Sequence, residues 1–536
     1  MKAHDSRFDG RFFVGVTSTG IYCRPICKVR LPLQKNCTFH ISAAAAEVLG
    51  FRPCLKCRPE LAPGFAATEA SQKLAHSAAK MLESIAEQSL SIADLAAKIG
   101  VSERHLRRIF RLAFGVSPVH YAQTQRLLLA KRLMTDTVLP VNQVALASGF
   151  SSVRRMNALF TDRYKFSPTR LRPERNIRAM NRQGKSEKPR PQAYAQACPQ
   201  SCQHSDNALS FVLSYRLPYD FSYLLDFLQR RALSGVESVN AGRYTRTLRV
   251  RSAGGKSILG WLSVRQAPGK SALALSISPV FIPLLPRILT MVKRVFDLDA
   301  EPNLIADVLG DLVGERIGLR LPGAFDAFEL SVRAILGQQV TVKAARTLAN
   351  RFVTAFGTPM PSALSCPDAA ICAVFPTPER VAGLSQTEIS ELGIISSRAN
   401  AIRALAAEFA SGALIHDTEL NALAPNEMIA KLSAIPGIGP WSANYIVMRA
   451  LSWPDAWPPG DVAVQNAMGL ANNLAGHRSA ETTSQKWRPW RSYAVLRAWG
   501  TLAAAPPHPA PPVPAATPTT PTTPAARRAS ARKPAP

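Results

Sequence analysis

Apolar residues recur at helical spacing through most of residues 70–173, a stretch rich in Ala, Leu and Arg. Ile92, Leu95, Ala96 and Ile99 fall on one side of a helix, the spacing of a segment with one face buried. Ser91 stands three residues ahead of Asp94 and supplies a capping box for the first turn. Gly100 then marks a tight turn, and Ser102 opens a second helix whose polar side carries Arg104, His105, Arg107, Arg108 and Arg111. The order returns further along: Val141 to Ala147 lead into Gly149 and Phe150, and Ser151 is expected to open a helix bearing Arg154, Arg155 and Asn157. Helix, glycine turn and arginine-bearing helix is the pattern of a module that reads the major groove. A lone arginine-bearing helix is more often a solvated face. Two copies, closing in Val116-Ser117-Pro118 and Phe166-Ser167-Pro168, favour the DNA-reading interpretation.

The periodicity stops after Pro173. Arg172 to Arg190 carries seven basic residues against two acidic, so residues 174–207 read as a flexible basic linker. A second globular block follows over residues 208–500, and the Pro/Ala/Thr-rich end, residues 501–536, is expected to be disordered. Inside the block, Leu432-Ser-Ala-Ile-Pro436-Gly437-Ile438-Gly439-Pro440-Trp441 reads as a helix-hairpin-helix. Glycines there let backbone amides approach a phosphate, and the following helix offers its positive end. Pro436, Gly437 and Gly439 are the expected backbone contacts.

Composition narrows the class of partner. The chain has 536 residues, 47% hydrophobic and 19% charged, a globular composition with room for three or four domains. A formal charge of +29 favours a polyanionic partner, nucleic acid before others. No apolar run reaches the roughly 20 residues that span a bilayer, and the polar start, Met1 to Gly10, does not resemble a secretory signal. A protein of the reducing cytosol is expected, with no membrane partner and as a monomer. In a reducing compartment its nine cysteines are better read as metal or reactive thiols than as disulfides.

Five of those cysteines lie in residues 1–65. Cys23-Arg-Pro-Ile-Cys27 and Cys54-Leu-Lys-Cys57 form two close thiol pairs that suit one tetrahedral zinc ion. Cys37 lies outside both pairs. Arg24, Lys28, Arg30, Lys35, Arg52, Lys56 and Arg58 crowd the ligands, an environment that attracts phosphate and favours thiolate over thiol. A zinc-held thiolate is a nucleophile at neutral pH, and a phosphate neutralised by methylation carries an electrophilic methyl for it.

The runs Phe8 to Val16, Gly20 to Cys27 and Gly50 to Cys57 closely resemble the zinc domain of Ada-type methylphosphotriester repair proteins. The resemblance implies that Cys23 takes the methyl irreversibly, with Cys27, Cys54 and Cys57 completing the ligands. The chain begins shortly before the motif, so the family's leading helix is expected to be missing. Residues 70–173 resemble the AraC-type regulator domain that follows the zinc domain in that family. Methylating Cys23 removes a negative charge beside the DNA, which would strengthen phosphate binding and switch the chain into an activator at promoter DNA, with RNA polymerase as a further partner. The Pro-Cys-His-Arg run of an alkylguanine transferase is missing, and no repair of alkylated guanine oxygen is expected.

Pro459-Gly460-Asp461 follows the hairpin, and the pair resembles the hairpin-Gly-Pro-Asp glycosylase superfamily, in which that Asp is catalytic. Breaking a sugar–base bond builds oxocarbenium-like charge that a fixed carboxylate stabilises. Capping of a helix is the plainer role for Asp461. Members that also cut the backbone carry a Lys where Trp441 stands, so a monofunctional enzyme is implied, and with Cys372 the last cysteine no iron–sulfur cluster is expected. Pro218 to Phe221, Arg320 to Asp326, Arg333 to Gln339 and Trp487 to Tyr493 resemble the AlkA-type 3-methyladenine glycosylase. That likeness implies Phe227, Trp441, Tyr445 and Trp499 as aromatics of a pocket for alkylated, often cationic, purines. It also implies Gln339 at the position of an apolar wedge, and a monovalent cation on the carbonyls of Ser433, Ile435 and Ile438.

The expected fold is therefore multidomain: a small zinc-bound α+β domain (1–65), an all-α tandem helix-turn-helix (70–173), an AlkA-type α/β N-terminal subdomain (208–300) and an all-α helix-hairpin-helix glycosylase domain (301–500). The expected function joins a zinc-thiolate methyl acceptor and regulator to a glycosylase on alkylated double-stranded DNA. The rival expectation is a transcriptional regulator whose C-terminal block senses damage without catalysis.

Overall fold

The computed structural model describes residues 4, 8–62, 70–84, 91–137, 139–172, 208–252, 255–314, 316–414 and 425–504. The basic linker, with Cys198 and Cys202, and most of the C-terminal tail lie outside the described residues, as do residues 1–3 and 5–7, on which the expectation of a missing leading helix bears. The boundary set at residue 501 falls inside a helix, Arg491–Ala504.

The N-terminal domain is a four-stranded sheet with strand order β3-β1-β2-β4, made of β1 (Phe13–Val16), β2 (Ile21–Cys23), β3 (Cys37–His40) and β4 (Arg52–Pro53), covered by helix α1 (Ala43–Val48). β1 pairs antiparallel with β2 and β3, while β2 and β4 run parallel. Gly15 is required where the sheet is tightest, because a Cβ there would meet Thr38, His40 and Phe51 within 3 Å.

Among the described residues that follow, up to residue 172, there are six α-helices: α2 (Ala70–Ser84), α3 (Ile92–Ile99), α4 (Glu103–Phe114), α5 (Pro118–Asp136), α6 (Val141–Ala147) and α7 (Val153–Tyr164). The expected punctuation is present. Ser91 and Asp94 form the capping box, Gly100 adopts φ +77, and the Ser102 hydroxyl caps α4. Expectation and structure differ by one residue at the second reader, where Ser152, not Ser151, is extended and accepts the Arg155 amide.

Beyond the linker, five antiparallel strands form a sheet in the order β5-β9-β8-β7-β6: β5 (Leu209–Ser214), β6 (Glu237–Asn240), β7 (Arg243–Arg251), β8 (Ser257–Gln266) and β9 (Ala272–Ile277). Helices Phe221–Gln229 and Leu285–Val295 accompany the sheet, and the rest of the block is predominantly helical.

The two halves are packed together. Leu127, Leu133, Met134, Phe150 and Phe160 from α5–α7 share one apolar core with Phe211, Leu213, Leu275 and Phe281 of the sheet subdomain. Arg132 crosses the seam, donating to the Val212 carbonyl at 2.9 Å and lying over the Phe211 ring. The zinc domain is tied to α5 by the buried Lys131–Glu60 pair at 2.7 Å and by bidentate bonds from Arg58 to Asp136. Glu47 sits at the same junction, accepting from Tyr22 at 2.9 Å, Tyr164 at 3.1 Å and Thr124 at 3.2 Å.

Candidate functional sites

The parallel register of β2 and β4 aligns Ile21 with Arg52 and Tyr22 with Pro53, so the residue that follows each strand pair is a cysteine. Cys54 donates its amide to the Tyr22 carbonyl at 3.0 Å, which fixes it beside Cys23. With Cys27 and Cys57 arriving on the two tight turns, the four sulfurs lie within 4.8 Å of one another. Tetrahedral zinc with bonds near 2.3 Å places sulfurs about 3.8 Å apart, so the donor set fits that ion. Four thiolates this close would repel one another, and a cation's charge would offset that repulsion. Cys37 stands apart from the cluster, as expected.

The basic rim is thinner than its sequence suggests. Arg24 is buried in an ion pair with Asp9 and donates its amide to the Cys57 sulfur at 3.3 Å, while Arg58 is committed to Glu60 and Asp136. Lys28, Arg30, Lys35 and Lys56 remain exposed. Cys23, Cys27 and Cys54 are buried, and Cys57 is the most open of the four.

Both reader helices bury one face and expose the other. Leu106, Ile109, Phe110 and Phe114 hold α4 to its core, leaving Arg104, Arg107 and Arg108 in solvent. Met156, Phe160 and Tyr164 do the same for α7, leaving Arg154 and Arg155 exposed. Arg107 is partly neutralised by Glu103 on the preceding turn.

The second site is a cavity of about 1100 Å³ in the glycosylase-like block, where the hairpin, the helix Pro440–Ala450 and the start of the helix Val462–Ala467 meet. Gly437, with φ +89, makes the turn of the hairpin, and Gly439 caps the next helix. Asp461 lines the cavity and is 7% exposed. Its Oδ1 accepts the Val464 amide at 2.8 Å, so it does cap a helix. Its Oδ2 accepts the Trp441 indole N–H at 2.8 Å and the Trp499 indole N–H at 3.2 Å. The capping bond and the two indoles together orient one carboxylate toward the cavity. Trp441 and Tyr445, four residues apart on one helix, stack at 5.3 Å with planes 9° apart, and Trp499 stands 6.0 Å from Tyr445. Gln339 is exposed at the mouth with φ +54.

Phe227 is placed differently from the expectation. It is 4% exposed and lies behind the wall with Leu319, Leu496 and Trp499. Two guanidiniums cover its ring, Arg231 at 3.7 Å and Arg449 at 4.7 Å, and these line the cavity instead. Arg449 also donates to the Tyr445 hydroxyl at 2.9 Å. Burial alone would push that hydroxyl up, but Arg449, Arg231 and Arg333 outweigh it and hold it below the ordinary tyrosine value. Reasoning from sequence missed these arginines; Arg449 follows Tyr445 by four residues on one helix, a spacing that brings side chains together, whereas Arg231 lies just past the end of the helix that carries Phe227.

No helix among the described residues is long and apolar enough to cross a membrane. Family models match four stretches of the chain: the metal binding domain of Ada over residues 1–60, a helix-turn-helix domain over 95–174, the AlkA N-terminal domain over 210–326, and the HhH-GPD superfamily of base excision DNA repair proteins over 332–492. A Mycobacterium tuberculosis protein named probable bifunctional transcriptional activator/DNA repair enzyme AlkA is 34% identical over 508 residues, 94% of this chain and 95% of its own length. The Escherichia coli DNA-3-methyladenine glycosylase 2 is 34% identical over 53% of this chain and 94% of its own. The Escherichia coli bifunctional transcriptional activator/DNA repair enzyme Ada is 37% identical over 24% of this chain and 35% of its own. Metal site, paired readers and hairpin pocket fall within the four matched stretches in turn, and the chain belongs to the family that fuses an Ada-type metal-binding and helix-turn-helix regulator to an AlkA-type helix-hairpin-helix glycosylase domain.

Proposed function

We propose that this chain repairs alkylated double-stranded DNA at two separate centres and reports the damage to promoters. The observation that carries the glycosylase reading is Asp461, held by two indoles and a backbone amide on the wall of an aromatic cavity. A purine flipped from the duplex stacks on Trp441 and Tyr445. As its bond to C1′ breaks, the electron pair leaves with the base, and Asp461 stabilises the positive charge left on the sugar. Water then adds to C1′, leaving an abasic site. The position of Trp441 offers no amine for a Schiff base, which makes the enzyme monofunctional. A monovalent cation on the carbonyls of Ser433, Ile435 and Ile438 would reinforce the hairpin's hold on phosphate.

At the other centre, zinc held by Cys23, Cys27, Cys54 and Cys57 would keep the sulfurs as thiolates. The Cys23 sulfur attacks the methyl of a phosphotriester, an S–C bond forms as the methyl–oxygen bond breaks, and the phosphodiester regains its negative charge. Loss of the thiolate charge strengthens the chain's attraction to DNA through Arg104, Arg107, Arg108, Arg154 and Arg155, which turns a repair event into transcriptional activation with RNA polymerase as the partner. We place the protein, as a monomer, in the bacterial cytoplasm on the nucleoid. We take as domain limits acceptor 1–65, reader 70–173, sheet subdomain 208–300 and glycosylase 301–500, the last extended to the end of the helix Arg491–Ala504.

A base-release assay over a panel of alkylated purines tests the first centre. Release of 3-methyladenine or a relative is expected, and no release from any of them would leave the damage-sensing regulator as the better reading. Peptide mapping after incubation with methylphosphotriester DNA tests the second. Label on Cys23 is expected; label on the more open Cys57 would move the acceptor.

A further inference from the structure

The turn that carries Gln339 is anchored by the residue before it. The helix Ala327–Leu336 ends at Gly337, and the next helix is capped by Thr341, so Gln338, half-buried, and Gln339 and Val340, both exposed, form a short bridge lining the cavity. Gln339 holds φ +54, a left-handed conformation that a side chain with a Cβ adopts only where its surroundings impose it.

Those surroundings converge on Gln338. Its side-chain amide donates to the Gly437 carbonyl at 2.9 Å and lies 3.2 Å from the Ser442 hydroxyl. Its own carbonyl accepts from the Arg398 guanidinium. Gly437 is the hairpin's turn, Ser442 lies in the first turn of the helix after it, and Arg398 belongs to the helix Ser396–Ala410. That helix also packs closely on the hairpin, since a Cβ on Gly437 would come within 2.8 Å of the Ala401 methyl. One glutamine thus fixes the Gln339 turn to the phosphate-facing hairpin through its side chain and to a third helix through its backbone.

We propose that Gln338 is a positioning residue that couples the hairpin's grip on the DNA backbone to insertion of Gln339 into the base stack. The inference rests on the base-excision reading above. Extruding a paired base costs a few kcal/mol and is easiest where the base is already unpaired, so a side chain that fills the gap matters most in an intact duplex. With Gln338 in place, a hairpin seated on the backbone presents Gln339 at a fixed height. Without its amide, the turn relaxes from φ +54 and the filler is misplaced while hairpin and cavity stay intact.

Single-turnover release of one alkylated purine should be measured from two duplexes: one fully paired, one with an abasic site opposite the lesion. Gln338→Ala is expected to slow release from the paired duplex about tenfold or more and from the unpaired duplex about threefold or less, because only the former bears the full extrusion cost. Gln338→Glu, which replaces the donor with an acceptor facing the Gly437 carbonyl, should do the same, and so should Gln339→Ala. Affinity for undamaged duplex should stay at the wild-type level. Equal slowing on both duplexes, or a loss of undamaged-duplex affinity, would assign Gln338 a purely structural role and overturn the coupling. Wild-type rates on both duplexes would overturn it as well. If the wild-type protein itself released no base from either duplex, the base-excision reading would fail instead, and the two failures are distinguishable.

Discussion

The two candidate sites are built on opposite plans. All ligands of the metal site come from Cys23 to Cys57, delivered by one parallel strand pair and two tight turns. The aromatic cavity draws its wall from Leu228 to Trp499 across ten helices and strands and the loops between them, and its Asp461 carboxylate is oriented by indoles from two different helices. The first centre depends on local spacing and on a cation, the second on long-range packing. They should therefore fail separately.

The largest separation is expected from the metal. Structural zinc contributes on the order of 10 kcal/mol to a small domain, so chelation or Cys54→Ala should abolish methyl uptake while base release persists. A parallel loss of base release would show that the shared core makes the two centres one unit. Next comes Asp461→Asn, which keeps an oxygen to accept the Val464 amide. Loss of a preorganised charge-stabilising group lowers rates by roughly 10² to 10³, and base release should fall by about that factor with methyl uptake unchanged.

A smaller effect concerns the junction between acceptor and reader. Burial pushes the Glu47 carboxyl up to about 7, against hydrogen bonds from Tyr22, Tyr164 and Thr124 and the charge of Arg163. Because its folded value lies above the unfolded one, the stability it contributes is fully present below about 4.5 and is lost as pH rises through about 7. Comparing Tm against pH for wild type and Glu47→Gln should show the variant gaining about 5 °C relative to wild type as pH rises across that window. Parallel curves would mean that Glu47 is ionised throughout. The smallest effect separates two exposed arginines of one reader helix. Arg104→Ala should reduce the salt dependence of DNA binding by about one phosphate contact. Arg107→Ala should reduce it less, because Glu103 already offsets its charge; binding titrations over salt would reverse that order if Arg107 leaves Glu103 for a phosphate.

Legibility follows the same division. Spacing in the chain was enough for the four cysteines, for the capping box at Ser91 and Asp94 and for the glycine turns, because each depends on neighbours a few residues away. At the second reader the expected cap, Ser151, is one residue early: Ser152 is the extended residue that accepts the Arg155 amide. Asp461, Trp441, Tyr445 and Trp499 were accessible through motif order and do meet around the cavity. What could not be read were charges placed against expectation. Arg231 and Arg449 line the cavity in place of Phe227, and Arg246 meets Glu329 and Arg333 meets Glu237, pairs 83 and 96 residues apart. α5 hid its second partner for a related reason. It buries a continuous run from Ala130 to Met134, including Lys131 and Arg132, so its polar residues do not mark a solvent face.

The central claim is that one chain carries two independent chemistries, one catalytic and one consumed in a single turn. Duplex DNA methylated with labelled methyl groups, incubated with wild type, Asp461→Asn and Cys23→Ser, tests it directly. Wild type should release labelled base over many turnovers while label bound to protein levels off at one methyl per chain. Asp461→Asn should lose only the released base and Cys23→Ser only the bound label. Loss of both signals in either variant, or of neither, would contradict the account.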